Sequence, residues 1–300
     1  MAEVAVTSLI DALYTDTPCV DVLRLDRQHA LAPGNKWFKL KTNLSEARRL
    51  DAHCLVSFGG AHSNHLHALA AVAREAAFPC YLFVRADAGQ QTPCLLDAAR
   101  WGATIIPLSR SDYRRRHDPE FVASLVHELP KPYVIPEGAA NVLGVQGCAD
   151  IAALLPDRAA AYDLVMLACG TGSTLAGLAC AVADGVAVRG VPVVKKAEQF
   201  MPADIQRLLT KIGHFRNNWS LDYRFIGKGF GQLTPGLIEF IKTFEQRSGI
   251  PLDPVYTAKL FYAVETLKLS GELNAYSRIL AVHTGGLQGR RGYPEVFGCS

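Results

Sequence analysis

Apolar positions along this chain fall into short runs separated by longer amphipathic stretches. Residues 20–25 (Val-Asp-Val-Leu-Arg-Leu) alternate with the period of two that marks a half-buried strand. Leu55-Val56-Ser57-Phe58 is a short apolar run that breaks at Gly59-Gly60, and a helical period follows over 64–77. The cycle repeats as strand 80–84, helix 93–101, strand 104–107, helix 119–129, strand 133–135 and helix 142–155. Strand 163–168 then runs into Cys169-Gly170-Thr171-Gly172-Ser173-Thr174 and a helix to 183. The last third holds helices 234–247 and 255–269 and strand 279–282, which ends in His283-Thr284-Gly285-Gly286. Short apolar strands alternating with helices predict an α/β protein with parallel sheet, its ligands gathered at the carboxyl ends of the strands.

Between the first two strands lies Pro33-Gly34-Asn35-Lys36-Trp37-Phe38-Lys39-Leu40, a Gly-Asn turn opening an amphipathic helix. Asn35 is placed to cap that helix with its side-chain oxygen. The helical period from Lys36 sets Leu40, Leu44, Ala47 and Leu50 on one face. Lys36 is centred on that face, Lys39 lies on its edge beside Asn43 and Glu46, and Lys41 falls with Ser45 and Arg48. One lysine is therefore expected to turn inward and two towards water. Burial penalises an ammonium, lowers its pKa and leaves an amine nucleophile. Snorkelling of Lys36 to the surface is the plainer alternative.

Composition narrows the field without choosing a chemistry. About half of the 300 residues are hydrophobic and one fifth charged, as in ordinary globular enzymes. A net charge of +3 is too small to imply nucleic acid or a membrane surface. The one basic run, from Arg110 to Arg116, precedes a helical segment and is expected to be a solvated face. No apolar stretch reaches spanning length, and the N-terminus lacks the basic and apolar regions of a signal peptide. Eight cysteines without a C-x-x-C pair fit buried free thiols in a reducing cytoplasm.

Three strand ends carry polar, glycine-rich turns. In Gly170-Thr171-Gly172-Ser173-Thr174, two glycines expose backbone N–H groups at a helix start and three hydroxyls add donors, a pattern that can cradle a phosphate. The next glycine is Gly177, one place too late for G-x-G-x-x-G, and no P-loop lysine follows, so a phosphomonoester fits better than a dinucleotide. In Gly59-Gly60-Ala61-His62-Ser63-Asn64-His65, Ser63 and Asn64 begin a helix, and capping is the plain alternative to chemistry. The histidines at 62, 65 and 67 lack the i, i+4 spacing of a helical zinc pair, so no metal site is expected. No G-x-S-x-G frames Ser63, which disfavours a hydrolase elbow.

A phosphate cradle together with an inward lysine is what pyridoxal 5′-phosphate requires. Five ordered motifs carry a resemblance: GNKWFKL (34–40), SFGGAHSNH (57–65), CGTGSTLAG (169–177), PLDPVYTAK (251–259) and HTGG (283–286). Together they resemble the PLP-dependent family of 1-aminocyclopropane-1-carboxylate deaminase and D-cysteine desulfhydrase, over nearly the whole length from Leu25 onward. The resemblance implies a tryptophan-synthase-β-like fold: two open twisted, mostly parallel sheets flanked by helices, with PLP in the cleft between them. It further implies a large domain of residues 1–40 and 148–300, a small domain of 41–147 and a homodimer. Lys36 would carry the cofactor, Asn64 would bond its phenolic oxygen, and Gly170, Thr171, Gly172, Ser173 and Thr174 would hold its phosphate. Ser63 and Tyr256 would join Lys36 in catalysis, Tyr256 lying beside the cofactor, and Ser63, His65 and Phe230 would face the substrate.

Next to the pyridine nitrogen the two branches of this family differ. Deaminases carry Glu directly after the tyrosine and lack the threonine of HTGG; this chain has Thr257 and Thr284, the latter being the implied partner of the nitrogen. A hydroxyl supports a weaker electron sink than a carboxylate, which favours β-elimination over ring opening. The expected activity is β-elimination of D-cysteine or a related D-amino acid, giving a 2-oxo acid and ammonia. The alternatives are 1-aminocyclopropane-1-carboxylate deamination and a non-catalytic PLP-binding protein. One departure stands out: Phe230, in Gly229-Phe230-Gly231, occupies a segment where the family usually has tyrosine.

Overall fold

A computed structural model describes residues 9–87 and 89–298, without the side chain of Arg158. The chain runs β1 (Ile10–Tyr14), β2 (Cys19–Arg24), α1 (Asn35–Arg49), β3 (Cys54–Gly60), α2 (Asn64–Glu75), β4 (Cys80–Arg85), α3 (Pro93–Arg100), β5 (Thr104–Leu108), α4 (Arg110–Arg114), α5 (Pro119–Val126) and β6 (Pro132–Ile135). It continues as α6 (Val142–Ala153), β7 (Leu164–Cys169), α7 (Ser173–Ala181), β8 (Ala187–Pro192), α8 (Ala197–Lys211), β9 (Trp219–Leu221), α9 (Pro235–Ser248), α10 (Thr257–Leu269), β10 (Arg278–His283) and α11 (Pro294–Phe297).

Two sheets result. The first has the order β1-β2-β10-β7-β8-β9, parallel except for the antiparallel edge strand β1; the second, β5-β4-β3-β6, is parallel throughout. Both faces of each sheet are covered, so central strands such as β7 (LVMLAC) are apolar and buried along their whole length. In the six-stranded sheet, Val165 and Leu167 of β7 pack with α6, α7 and α8, while Leu164 and Met166 pack with α9 and α10. The four-stranded sheet packs one face on α2 and α3, and the other on residues of α4 and α5. The predicted α/β class is found, with its mostly parallel sheets.

Helix α1 departs from its expected orientation. Leu40, Leu44 and Ala47 are buried, but so are Lys39 and Asn43, while Leu50 is half exposed. Periodicity assumed one buried face, whereas α1 packs against both α2 and α6 and is enclosed on more than one side. Lys41 stays at the periphery, its amine 2.5 Å from Asp150. Asn35 does not cap the helix: Gly34 holds the N-cap position, and the Asn35 N–H donates to the carbonyl of Thr284 at 3.1 Å.

Elements without an apolar signature were not predicted. Strand β8 carries Arg189 and Gly190, and α8 contains Pro202. A side chain at Gly190 would stand 2.5 Å from Leu175, so this glycine is where α7 approaches the sheet. The basic run is not a uniformly solvated face, since the Arg116 side chain is only 23 % exposed and bonds Glu137. The seven described cysteines are free, five of them buried, and Cys299 lies outside the described residues. No described helix is long and apolar enough to cross a membrane.

Candidate active site

A cavity of about 970 Å³ opens where the carboxyl ends of β3, β7 and β10 converge, and the three glycine-rich turns meet on its wall. Lys36 enters it from the first turn of α1. Burial first, and the nearby Lys39 charge second, lower the Lys36 pKa from 10.5 to about 7. Its Nζ donates to Asn35 Oδ1 at 2.9 Å, and Asn35 Nδ2 donates in turn to Thr174 Oγ1 at 2.8 Å. The asparagine freed from capping thus ties the amine to the polar turn before α7. Lys39, expected in water, lines the same cavity with its Nζ on the Gly138 carbonyl at 3.2 Å. Burial lowers its pKa as well.

The turn itself is shaped for close backbone approach. Gly172 is left-handed (φ +79°), and a Cβ there would meet Ile205 at 2.5 Å; one at Gly170 would press on the Tyr256 ring at 3.2 Å. No side chain caps α7, so its first-turn N–H groups remain available beside Gly170, Thr171, Gly172 and Thr174 on the cavity wall. Ser173 sits behind that wall, fully buried, with its hydroxyl 3.1 Å from that of Thr171.

From the other sheet, Ser63, Asn64 and His65 face the cavity. Ser63 is the N-cap of α2, accepting the Leu66 N–H at 3.3 Å, which leaves its own proton free. Gln288 Nε2 donates to Asn64 Oδ1 at 2.9 Å, so Asn64 keeps its amide hydrogens for another acceptor. Ser57 Oγ donates to the Ile135 carbonyl and must therefore accept from His65 Nε2 at 2.8 Å. His65 Nδ1 is then an unprotonated, unpartnered acceptor. Burial, then the Lys36 and Lys39 charges, push the His65 pKa down to about 3, so the ring is neutral.

Tyr256 closes the remaining side, with Lys36 Nζ 5.8 Å from its ring centroid and Phe230 edge-on at 5.8 Å. Burial, and then the Asp253 charge, raise the Tyr256 pKa, making its phenol a donor and not a base. Thr257 does not reach the cavity wall; its hydroxyl is spent on the backbone of Asp253, at 2.7 Å from the N–H. Thr284 does line it. Lys36, Ser63, Asn64, His65, Phe230, Tyr256 and Thr284 are therefore brought to one chamber.

The model of pyridoxal-phosphate-dependent enzymes matches residues 10–285. The chain belongs to that family. Within this PLP family it is 32% identical over 282 residues to a Thermotoga maritima protein provisionally named a 1-aminocyclopropane-1-carboxylate deaminase, covering 89% of this chain and 88% of that one. It is 28% identical over 279 residues to the mitochondrial bifunctional D-cysteine desulfhydrase/1-aminocyclopropane-1-carboxylate deaminase of Arabidopsis thaliana, covering 85% and 69%. A solved structure titled as an ACC deaminase homologue superposes with a TM-score of 0.80 at 25% identity, over 98% of both chains.

The PLP family's cofactor fits the residues present: an amine of depressed pKa, an uncapped helix start that only glycines can shape, and unpartnered polar atoms on the wall. Two of those atoms belong to residues that sequence reasoning passed over. Asp253 Oδ2 and Gln288 Oε1 are both buried and unpartnered. Asp253 lies within the quoted PLDPVY motif, where its Oδ1 caps the start of α10 through the Tyr256 and Thr257 N–H groups, and burial raises its pKa to about 6. Gln288 follows HTGG in a short 3₁₀ helix, Leu287–Gly292, that carries no apolar periodicity, so only its nearness to that motif could have flagged it.

Proposed function

We infer that this PLP enzyme catalyses β-elimination on a small amino acid, D-cysteine or a related D-amino acid, giving a 2-oxo acid and ammonia. The observation that carries this reading is Thr257, which follows Tyr256 with no carboxylate to offer and is tied to the Asp253 backbone. Thr284, on the cavity wall, is left as the partner of the ring nitrogen. Bound pyridoxal phosphate supplies an electron sink for the carbon that loses its proton. With a hydroxyl at the nitrogen that sink is moderate, which suits departure of a good β-group better than opening of a cyclopropane.

The protein's own groups divide the remaining work. Lys36 would carry the cofactor; once the substrate amine has displaced it, its freed Nζ, with a pKa lowered by burial to about 7, would be the base for the α-proton at neutral pH. The α7 N-terminus with Gly170, Thr171, Gly172 and Thr174 would hold the phosphate, and Asn64 would offer its amide hydrogens to the phenolic oxygen. Ser63 offers its free O–H to the substrate, and neutral His65 accepts a substrate N–H at Nδ1. In this reading residues 41–147 form the small domain and 1–40 with 148–300 the large one, with the substrate held between them.

Spectroscopy of the purified protein tests the proposal. It should show the visible absorption of lysine-bound pyridoxal, change on adding D-cysteine, and release sulfide and ammonia; Lys36→Ala should lose both colour and turnover. Retention of both by that variant would remove Lys36 from its role. A second reading, 1-aminocyclopropane-1-carboxylate deamination, is supported by the names of the relatives above. Release of 2-oxobutyrate from that acid, with no sulfide from D-cysteine, would select it instead.

A further inference from the structure

The cavity extends beyond the chamber just described to a rim on the four-stranded sheet. There β3 and β4 end side by side, with Gly60 paired to Arg85. The Arg85 guanidinium lies across the glycine, its terminal nitrogen 3.5 Å from where a Cβ on residue 60 would stand. Among the described residues, the Arg85 side chain has neither a hydrogen bond nor an ion pair. It rests by the ring of Tyr113 at 5.4 Å from the centroid. Arg116 approaches the same ring at 4.5 Å.

Of these two arginines, only Arg116 meets a carboxylate. Glu137 accepts from Arg116 Nε at 2.7 Å and from the Tyr113 hydroxyl at 2.7 Å, so its charge is committed to Arg116. Farther along the rim, Arg207 is matched by Asp204 at 2.9 Å. His117 adds no charge near neutrality, since burial and then Arg116 lower its pKa. The rim therefore carries one uncompensated positive charge, and Arg85 is its source. A guanidinium placed on a cavity lip with no acid to meet is suited to a carboxylate, phosphate or sulfate group supplied by a ligand.

We propose that Arg85, supported by Arg116, binds an anionic group on the β-substituent of the substrate, so that the enzyme prefers amino acids whose β-substituent is a phosphate or sulfate ester, the Cβ–O bond breaking and the inorganic anion departing. This rests on the β-elimination reading above and narrows its substrate class. The other possible source of such an anion is the cofactor's own phosphate, and the experiment separates the two.

Binding of O-phospho-D-serine and of D-serine to the holoenzyme is measured by stopped flow, from the change in PLP absorption before turnover, for the wild type and for Arg85→Met. That substitution removes no hydrogen bond and no ion pair, so folding is not at stake. The expected result is at least tenfold tighter binding of the phosphorylated amino acid by the wild type, falling below threefold in Arg85→Met and on raising salt, with PLP content retained. Equal binding of the two ligands by the wild type would overturn the proposal. So would loss of PLP from Arg85→Met, which would assign the rim to the cofactor phosphate. Turnover of neutral β-chloro-D-alanine without any anion preference sinks the rim and spares the β-elimination reading. Anion preference without turnover of any β-substituted amino acid does the reverse.

Discussion

The amine of Lys36 donates to the side-chain oxygen of Asn35 at 2.9 Å, and through that amide it is joined to Thr174 of the turn before α7. The residue expected to cap a helix instead links the buried amine to the turn proposed above to hold the cofactor phosphate. A neutral amide leaves the depressed pKa of Lys36 intact, and a carboxylate would not. Asn35→Asp should favour the ammonium form and raise the pKa of Lys36 above about 7. The pH for half-maximal PLP uptake by the apoprotein should then move up by about one unit. An unmoved uptake profile would show that Asn35 does not set the state of the amine.

Burial of Lys36 carries a cost to folding with a definite pH signature. Below about pH 7 the lysine is protonated in both the folded and unfolded chains, and the folded state bears the whole penalty. Between about 7 and 10.5 the unfolded chain holds a proton that the folded chain does not, so stability rises with pH across that window. Lys36→Met should therefore stabilise the apoprotein at pH 6, by about 2–4 kcal/mol after discounting for the amine's opening to the cavity. The gain should shrink steadily towards pH 10. Urea denaturation of both apoproteins across this range measures it, and a pH-independent difference would contradict the assignment.

Legibility of this protein in its sequence divides along physical lines. The strands with unbroken apolar runs were readable, because two-sided burial leaves nothing polar in them; β7 is the clearest case. Strand β8 was not, because its smallest residue, Gly190, is where α7 packs closest and reads as a break. The polar turns were legible through their glycines and hydroxyls. The second lysine of the GNKWFKL stretch was not, since a helical wheel cannot tell that α1 is enclosed by both α2 and α6. Arg116 was hidden in the same way: within a run of arginines, nothing local distinguishes the one that meets Glu137.

Ser63 caps α2 and, in the function proposed above, also faces the substrate, and substitutions can separate the two roles. As the cap of α2 it satisfies the Leu66 N–H, so Ser63→Ala should lower stability by about 1 kcal/mol. As the hydroxyl facing the substrate it should also lower kcat by about 10–100-fold, with PLP still bound and its visible absorption retained. Ser63→Gly discriminates between these effects: glycine is tolerated at an N-cap with a loss of only a few tenths of a kcal/mol, but it too lacks the hydroxyl. Turnover restored in Ser63→Gly would reduce Ser63 to a structural cap.

Gly34 shows how closely the lysine turn must meet the HTGG segment. Its φ is +91°, and a Cβ would stand 2.1 Å from the carbonyl oxygen of Thr284, a backbone atom that already accepts the Asn35 N–H. The neighbour cannot yield without dragging Thr284 and Gly285 with it. Gly34→Ala should therefore cost about 3 kcal/mol or more and weaken PLP binding at the same time, because Lys36 and Thr284 would be forced apart. Gly236, in the first turn of α9 with nothing within 4 Å of its Cβ position, provides the control. Gly236→Ala should leave stability unchanged or raise it by about 0.5–1 kcal/mol, with PLP affinity unaltered. Parallel denaturation and PLP titration of the two variants decide the matter: equal effects would mean that the contact between residues 34 and 284 does not build the site.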